Sequence, residues 1–163
     1  MAHAKRPLFV LNPHVSLSVR VQEIRPDEFY LAEQVWTGYH GQKGDPLTDR
    51  IFGVFVEDAL AAVARCRRHP DGLEVDGVFV VEDYRGRGYA RSAMHSLIDT
   101  CGYEELFMHA TLELVSFYAT FGFVPVNEPE LPQTIRERFN FADGELEGSD
   151  VQPMKRPATG YPS

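Results

Sequence analysis

The sequence predicts an α/β (α+β) fold: a mixed, mostly antiparallel sheet of six or seven strands with helices on both faces. Three features carry this expectation. Apolar-rich runs at residues 50–56, 60–66 and 73–81 are separated only by short turns, the spacing of antiparallel hairpins. The last run ends in a charged turn and a glycine loop, Arg85-Gly86-Arg87-Gly88, and a helical pattern begins at Ala90. A short apolar run at 106–110 follows that helix, and a strand reached by a helical crossover lies parallel to its predecessor.

In chain order, residues 1–14 read as a flexible N-terminal leader, with Pro7 and Pro13 interrupting any regular element. Residues 15–21 alternate apolar and polar side chains, as a strand with one buried face does. Pro26-Asp27-Glu28 starts a helix, with proline early and acids in the first turn. Phe29, Leu31, Ala32, Val35, Trp36 and Tyr39 line its apolar side, and Gly38 and Gly41 end it. Residues 42–48 form a loop; Glu57-Asp58 and His69-Pro70-Asp71-Gly72 turn one strand into the next. The helix from Ala90 runs to about Cys101, where Gly102 stops it. A second helix spans 113–120 and a strand 123–126. Residues 131–139 read as a short helix, 143–148 as an acidic loop, and 151–156 as a last edge strand, where Pro153 is tolerated. The expected organisation is one domain over 15–157 with a C-terminal tail at 158–163.

Composition narrows the classes. A chain of 163 residues fits one domain, and 44% hydrophobic with 12% aromatic residues is globular, not disordered. A net charge of −8 argues against a nucleic-acid partner. No stretch approaches the ~20 apolar residues of a membrane helix, and Leu8-Phe9-Val10-Leu11 is too short for a signal segment. Cys66 and Cys101 suggest a reducing, cytoplasmic setting and no disulfide framework. Cys66-x-x-His69 has no second pair at zinc spacing, so no metal is expected.

Strand, glycine loop and helix together build an anion site. The first N–H groups of a helix have no intrahelical acceptor, the helix dipole adds positive character there, and Gly86 and Gly88 clear the approach for a phosphate. No Gly-Lys-Ser/Thr closes the loop as in a P-loop, and Arg91 stands where a dinucleotide fingerprint needs its third glycine. Arg85-x-x-Gly88-x-Ala90 instead resembles the pyrophosphate signature of the GCN5-related N-acetyltransferases (GNAT). About thirty residues on, Ser116-Phe117-Tyr118-Ala119-Thr120-Phe121-Gly122-Phe123 resembles that family's tyrosine helix, glycine cap and strand. The resemblance covers roughly residues 72–126.

The resemblance implies acetyl-CoA as co-substrate, held where two central parallel strands splay into a V, and transfer of acetyl to a primary amine of a small molecule or peptide in a ternary complex. It implies Phe79, Val80 and Val81 as backbone partners of pantetheine and residues Arg85, Gly86, Arg87, Gly88, Tyr89 and Ala90 as the pyrophosphate loop, with Arg91 adding charge. Tyr118 falls at the tyrosine that serves the leaving thiolate, and a backbone N–H near Val80 or Val81 would receive the oxyanion. Thr111 stands where the family often has a cofactor-contacting asparagine. Glu74, eleven residues before Arg85, is the first candidate base; Asp76 on the same strand face and His109 on the opposite wall are the others. Acceptor recognition falls to Trp36, Tyr39 and His40 or to loop acids, Glu57, Asp58, Asp143, Glu145 and Glu147. Family members often dimerise, so a homodimer is compatible. The competing class is a non-catalytic acyl-CoA sensor on the same fold.

Overall fold

A computed structural model describes residues 17–143 and 150–160. The expected leader at 1–14 and most of the acidic loop at 143–148 lie outside the described residues. Four strands alternate in direction: β1 (Val19–Ile24), β2 (Asp49–Val56), β3 (Ala59–His69) and β4 (Gly72–Val80). Between the first two, a 3-10 turn at Pro26–Glu28 leads into α1 (Phe29–Trp36), the short first helix expected. After β4 come α2 (Tyr89–Cys101), β5 (Leu106–Thr111), α3 (Val115–Ala119), β6 (Val124–Pro125), α4 (Gln133–Asp143) and β7 (Val151–Arg156). The seven strands form one sheet in the order β1-β2-β3-β4-β5-β7-β6, with β4 and β5 parallel as expected.

The last strand is a correction. β7 is not an edge; it sits between β5 and β6. Pro153 is accommodated by direction. Its carbonyl accepts the Val126 N–H at 3.0 Å, so its missing N–H points to that same side, where β6 pairing stops at Pro125↔Met154. The ladder to β5 therefore loses nothing. Gly102 does end α2, but not through a left-handed cap. Its φ is −74°, and a Cβ there would meet the Ile98 carbonyl at 2.6 Å, so space is the requirement. Thr159 and Gly160 donate to the Gly102 and Tyr103 carbonyls and pin residues 158–160 beside that helix end.

The core has two unequal faces. On one, α2 and α3 cover Phe52, Val54, Ala64, Val75, Leu106 and Met108 with Met94, Leu97 and Tyr118. On the other, two separate clusters form: α1 packs Trp36 and Phe29 over Ile51, Phe55 and Val63, and α4 packs Ile135 over Phe107. Each fully buried large apolar side chain contributes about 1.5–3 kcal/mol. The strip between α1 and α4 is polar, and there Arg65, Glu74 and Asp76 face inward from β3 and β4.

Candidate active site

The parallel pair separates almost at once. Only Leu73↔Leu106 and Glu74↔Phe107 are in register. β4 itself bends just past this pairing, at Gly77. It takes φ +62° where the β3–β4 register slips, and a bulge of this kind bends its strand. A Cβ on Gly77 would stand 2.8 Å from Trp36, whose indole N–H donates to the Gly77 carbonyl at 2.9 Å. Trp36 is thus core and not the acceptor wall; it holds the bulge, with the Arg65 guanidinium over its ring at 4.8 Å. The widening gap is a cleft of about 470 Å³, lined by β4 from Glu74 to Val78, β5 from Met108 to Thr111, Tyr39, His40, Tyr118 and Arg138.

Backbone direction separates the three residues expected to pair with pantetheine. Val81 N–H donates to the Ala61 carbonyl at 2.9 Å, towards β3. By alternation Phe79 also faces β3, and Val80 turns its amide to the other side, towards the open β4 edge beyond the cleft lining. The Val80 carbonyl meets the Arg85 Nε at 3.2 Å on that side. Of Phe79, Val80 and Val81, only Val80 turns its amide away from β3, and the Val81 N–H expected as a candidate oxyanion donor is already engaged by the Ala61 carbonyl.

The glycine loop lies beyond the open end of β4, outside the cleft lining. Gly86 and Gly88 both have φ +79°, with open space where a Cβ would sit. Among the described residues, the N–H groups of residues 86–91 donate no hydrogen bond, so a row of amides stands at the start of α2. The three arginines divide. Arg85 folds onto Val80 and the Phe79 ring; Arg91 bonds the Thr120 hydroxyl at 3.0 Å and covers Phe117 and Phe121; Arg87 is exposed.

Tyr118, on α3, is 5% exposed and lines the cleft, and among the described residues its hydroxyl has no hydrogen-bond partner. Burial, then the nearby Tyr39 and Asp76, push its phenol well above the usual tyrosine range, so it stays protonated. Thr111 ends β5 on the opposite wall.

Glu74 and Asp76 reach the cleft but are closed off by donors. Glu74 is 2% exposed and accepts from Arg138 at 2.6 and 2.7 Å, with the His69 ring nitrogen at 2.9 Å. Asp76 accepts from Arg65 at 2.7 and 2.8 Å and from Arg138. Burial opposes the Asp76 charge, but the Arg65 hydrogen bonds and the Arg65, Arg138 and Arg67 charges outweigh it and hold the carboxyl below its ordinary range. His109 stacks on Phe139 at 3.9 Å and bonds the Glu128 carboxylate through Nε2 at 3.0 Å; its Nδ1 is buried with no partner among the described residues. Tyr39 and His40 line the cleft, whereas Glu57 and Asp58 form the distant β2–β3 turn. Arg65 and Arg138 are the site residues that sequence reasoning missed. The signal for Arg138 was the Leu131, Ile135, Phe139 stripe, which lays α4 on β5 and carries its neighbour into the gap.

An open mixed sheet whose central parallel pair splays beside a glycine loop and helix is the GNAT architecture. The chain belongs to the acetyltransferase (GNAT) domain family, whose model matches residues 25–136. It is similar to protein ElaA of Escherichia coli (strain K12), 33% identical over 100 residues, a match spanning 55% of this chain and 65% of that protein's length. The crystal structure of Escherichia coli ElaA superposes with a TM-score of 0.63 at 21% identity, over 86% of this chain and 99% of that one. N-acetylglutamate synthase from Neisseria gonorrhoeae, complexed with coenzyme A and L-arginine, superposes with a TM-score of 0.63 at 14% identity, over 88% of this chain and 34% of that one.

Proposed function

We propose that this protein is an acetyl-CoA-dependent N-acetyltransferase that modifies a primary amine directly, with both substrates bound. The observation that carries the reading is the free amide row at 86–91, set beyond an unpaired β4 edge whose cleft contains an unbonded Tyr118 hydroxyl. The donors fit the group. Residues 86–91 match a pyrophosphate, with Arg87 adding charge, and the Val80 amide matches the pantetheine chain as an added strand would. The Neisseria protein of the same fold was solved with coenzyme A. Acetyl-CoA supplies the activated acyl group as a thioester.

The chain's own groups do the rest. The Val80 N–H, turned away from β3 at the open edge of β4, stabilises the oxyanion on this reading. Tyr118, held protonated by its burial, donates to the departing sulfur. Glu74 and Asp76 are each already held by three hydrogen bonds from cationic or ring donors, so we assign the amine's proton to His109, whose ring Glu128 orients through Nε2. Glu74 then positions Arg138. Buried Cys66 and Cys101 thiols fit a reducing, cytoplasmic setting.

The test is release of free thiol from acetyl-CoA across a panel of amines. Amine-dependent release is expected. A Tyr118→Phe variant should bind coenzyme A as before and turn over about 10²-fold more slowly. Tight coenzyme A binding with no turnover on any amine would instead identify a sensor.

A further inference from the structure

The acceptor end of the cleft carries a charge signature that the acetyltransferase reading does not require. The protein has a net charge of −8, yet the cleft is lined by Lys43, Arg65, Arg67 and Arg138 against only Glu74 and Asp76. The distribution of free groups is sharper than the count. Arg65 is 1% exposed and fully engaged, bonding Asp76, the Lys43 carbonyl and Gln42. Each carboxylate already takes three hydrogen bonds: Glu74 from Arg138 and His69, Asp76 from Arg65 and Arg138. What remains is cationic. Arg138 uses Nε and Nη2, leaving Nη1 without a partner among the described residues, and its side chain is 33% exposed. Arg67 uses Nε and Nη2 on Asp49 and likewise leaves Nη1. Lys43 is exposed, and its ammonium makes no ion pair among the described residues. Among the described residues, the lining keeps three cationic donors free, while Glu74 and Asp76 are each already paired with arginine and keep at most one lone pair for an ammonium.

We propose that the acceptor is an amine bearing a carboxylate close to its amino group, a free amino acid or a near analogue, with the carboxylate seated on the free donors of Arg138, Arg67 and Lys43. This deepens the acetyltransferase reading and rests on it. The Glu74 and Asp76 bonds set the Arg138 plane and the Asp49 bonds set the Arg67 plane, so both free edges are pre-arranged for a carboxylate. A polyamine brings a second cation towards three cationic donors, and a peptide N-terminus has no carboxylate beside its amine. Both should be poor acceptors.

The experiment compares each L-amino acid with its own carboxamide, using acetyl-CoA and thiol release. The carboxamide's less basic amine is more often neutral at pH 7.5, so intrinsic reactivity favours it; only a site for the anion reverses the order. The expected result is a kcat/KM about 10- to 100-fold higher for the best carboxylate than for its carboxamide. Lys43→Gln, on an exposed loop, should shrink that ratio several-fold through KM with kcat retained. Equal or better rates for carboxamides or diamines overturn the anion site while leaving acetyl transfer intact. Absence of turnover with every amine counts against the acetyltransferase reading instead. Calorimetry of the same pairs on the coenzyme A complex then still decides the anion site: binding of carboxylates alone supports it, and equal or absent binding of both overturns it.

Discussion

Glu74 occupies a motif position for a base, yet its surroundings make it a structural anion. Three hydrogen bonds close its carboxylate, two of them from Arg138. Removing one partner of a buried ion pair leaves the other uncompensated, so Glu74→Gln should cost on the order of 2–3 kcal/mol, read as a lower urea midpoint, with the folded fraction losing less than tenfold in kcat. His109→Asn should do the opposite: coenzyme A affinity is kept and kcat falls about 10²-fold. A Glu74→Gln enzyme that is folded but inactive, beside an active His109→Asn enzyme, reverses the assignment. Acidity adds a second test. Asp76 has a folded-state pKa below its unfolded value, so its contribution to stability is present above about pH 4 and is lost as pH falls through the lower folded value. Urea titrations from pH 7 to pH 2 should show that loss, and Asp76→Asn should flatten it. Tyr118 shifts the other way. Its raised pKa keeps the donor protonated, so kcat should show no alkaline decline from this group below about pH 10.

Two glycines with the same backbone sign do different work at the scale of elements. Gly77 is confined: φ +62° with Trp36 at 2.8 Å from any Cβ, so Gly77→Ala meets both strain and a rigid ring. Gly88 is open: φ +79° with no atom within 4 Å of a Cβ. Gly88→Ala should therefore lower Tm by only a few degrees but weaken coenzyme A binding at least tenfold, because it reshapes the amide row. Gly77→Ala should lower Tm more and close the splay. Equal losses of Tm in the two variants would contradict this division. The glycine loop is legible from sequence because its physics is local, and so are the antiparallel runs, whose apolar pattern shows directly. Gly77 is not, since the ring that requires it lies 41 residues earlier in the chain. Neither is the strand that crosses from expected edge to interior, because Pro153 reports only that one of its sides lacks a donor and not which side has a neighbour.

At the scale of the molecule, the sheet is two halves joined lightly. β1 to β4 form an antiparallel ladder, β5, β7 and β6 form another, and two registered residue pairs connect them directly. Fold class and strand count follow from the periodicity of the chain, but the clasp between the halves does not, because it is built from pairs such as Arg138 with Glu74, 64 residues apart. Helix α4 supplies that clasp, carrying Arg138 across to β4 while Ile135 and Phe139 rest on β5. Such a design leaves the splay as the least cross-linked part of the sheet. A ligand that pairs with Val80 on one half, Thr111 on the other, and the amides of α2 ties the halves together, and it does so only in the folded state. At coenzyme A concentrations 100-fold above its Kd, linkage gives about 2.7 kcal/mol, which for a domain of this size is roughly 5–10 °C in Tm. Hydrogen exchange should slow in the same complex at residues 78–81 and 86–91 and change little in β1 to β3. A thermal shift without that protection would place the ligand elsewhere, and neither effect at saturating coenzyme A would remove the physical basis for calling the splay a binding cleft.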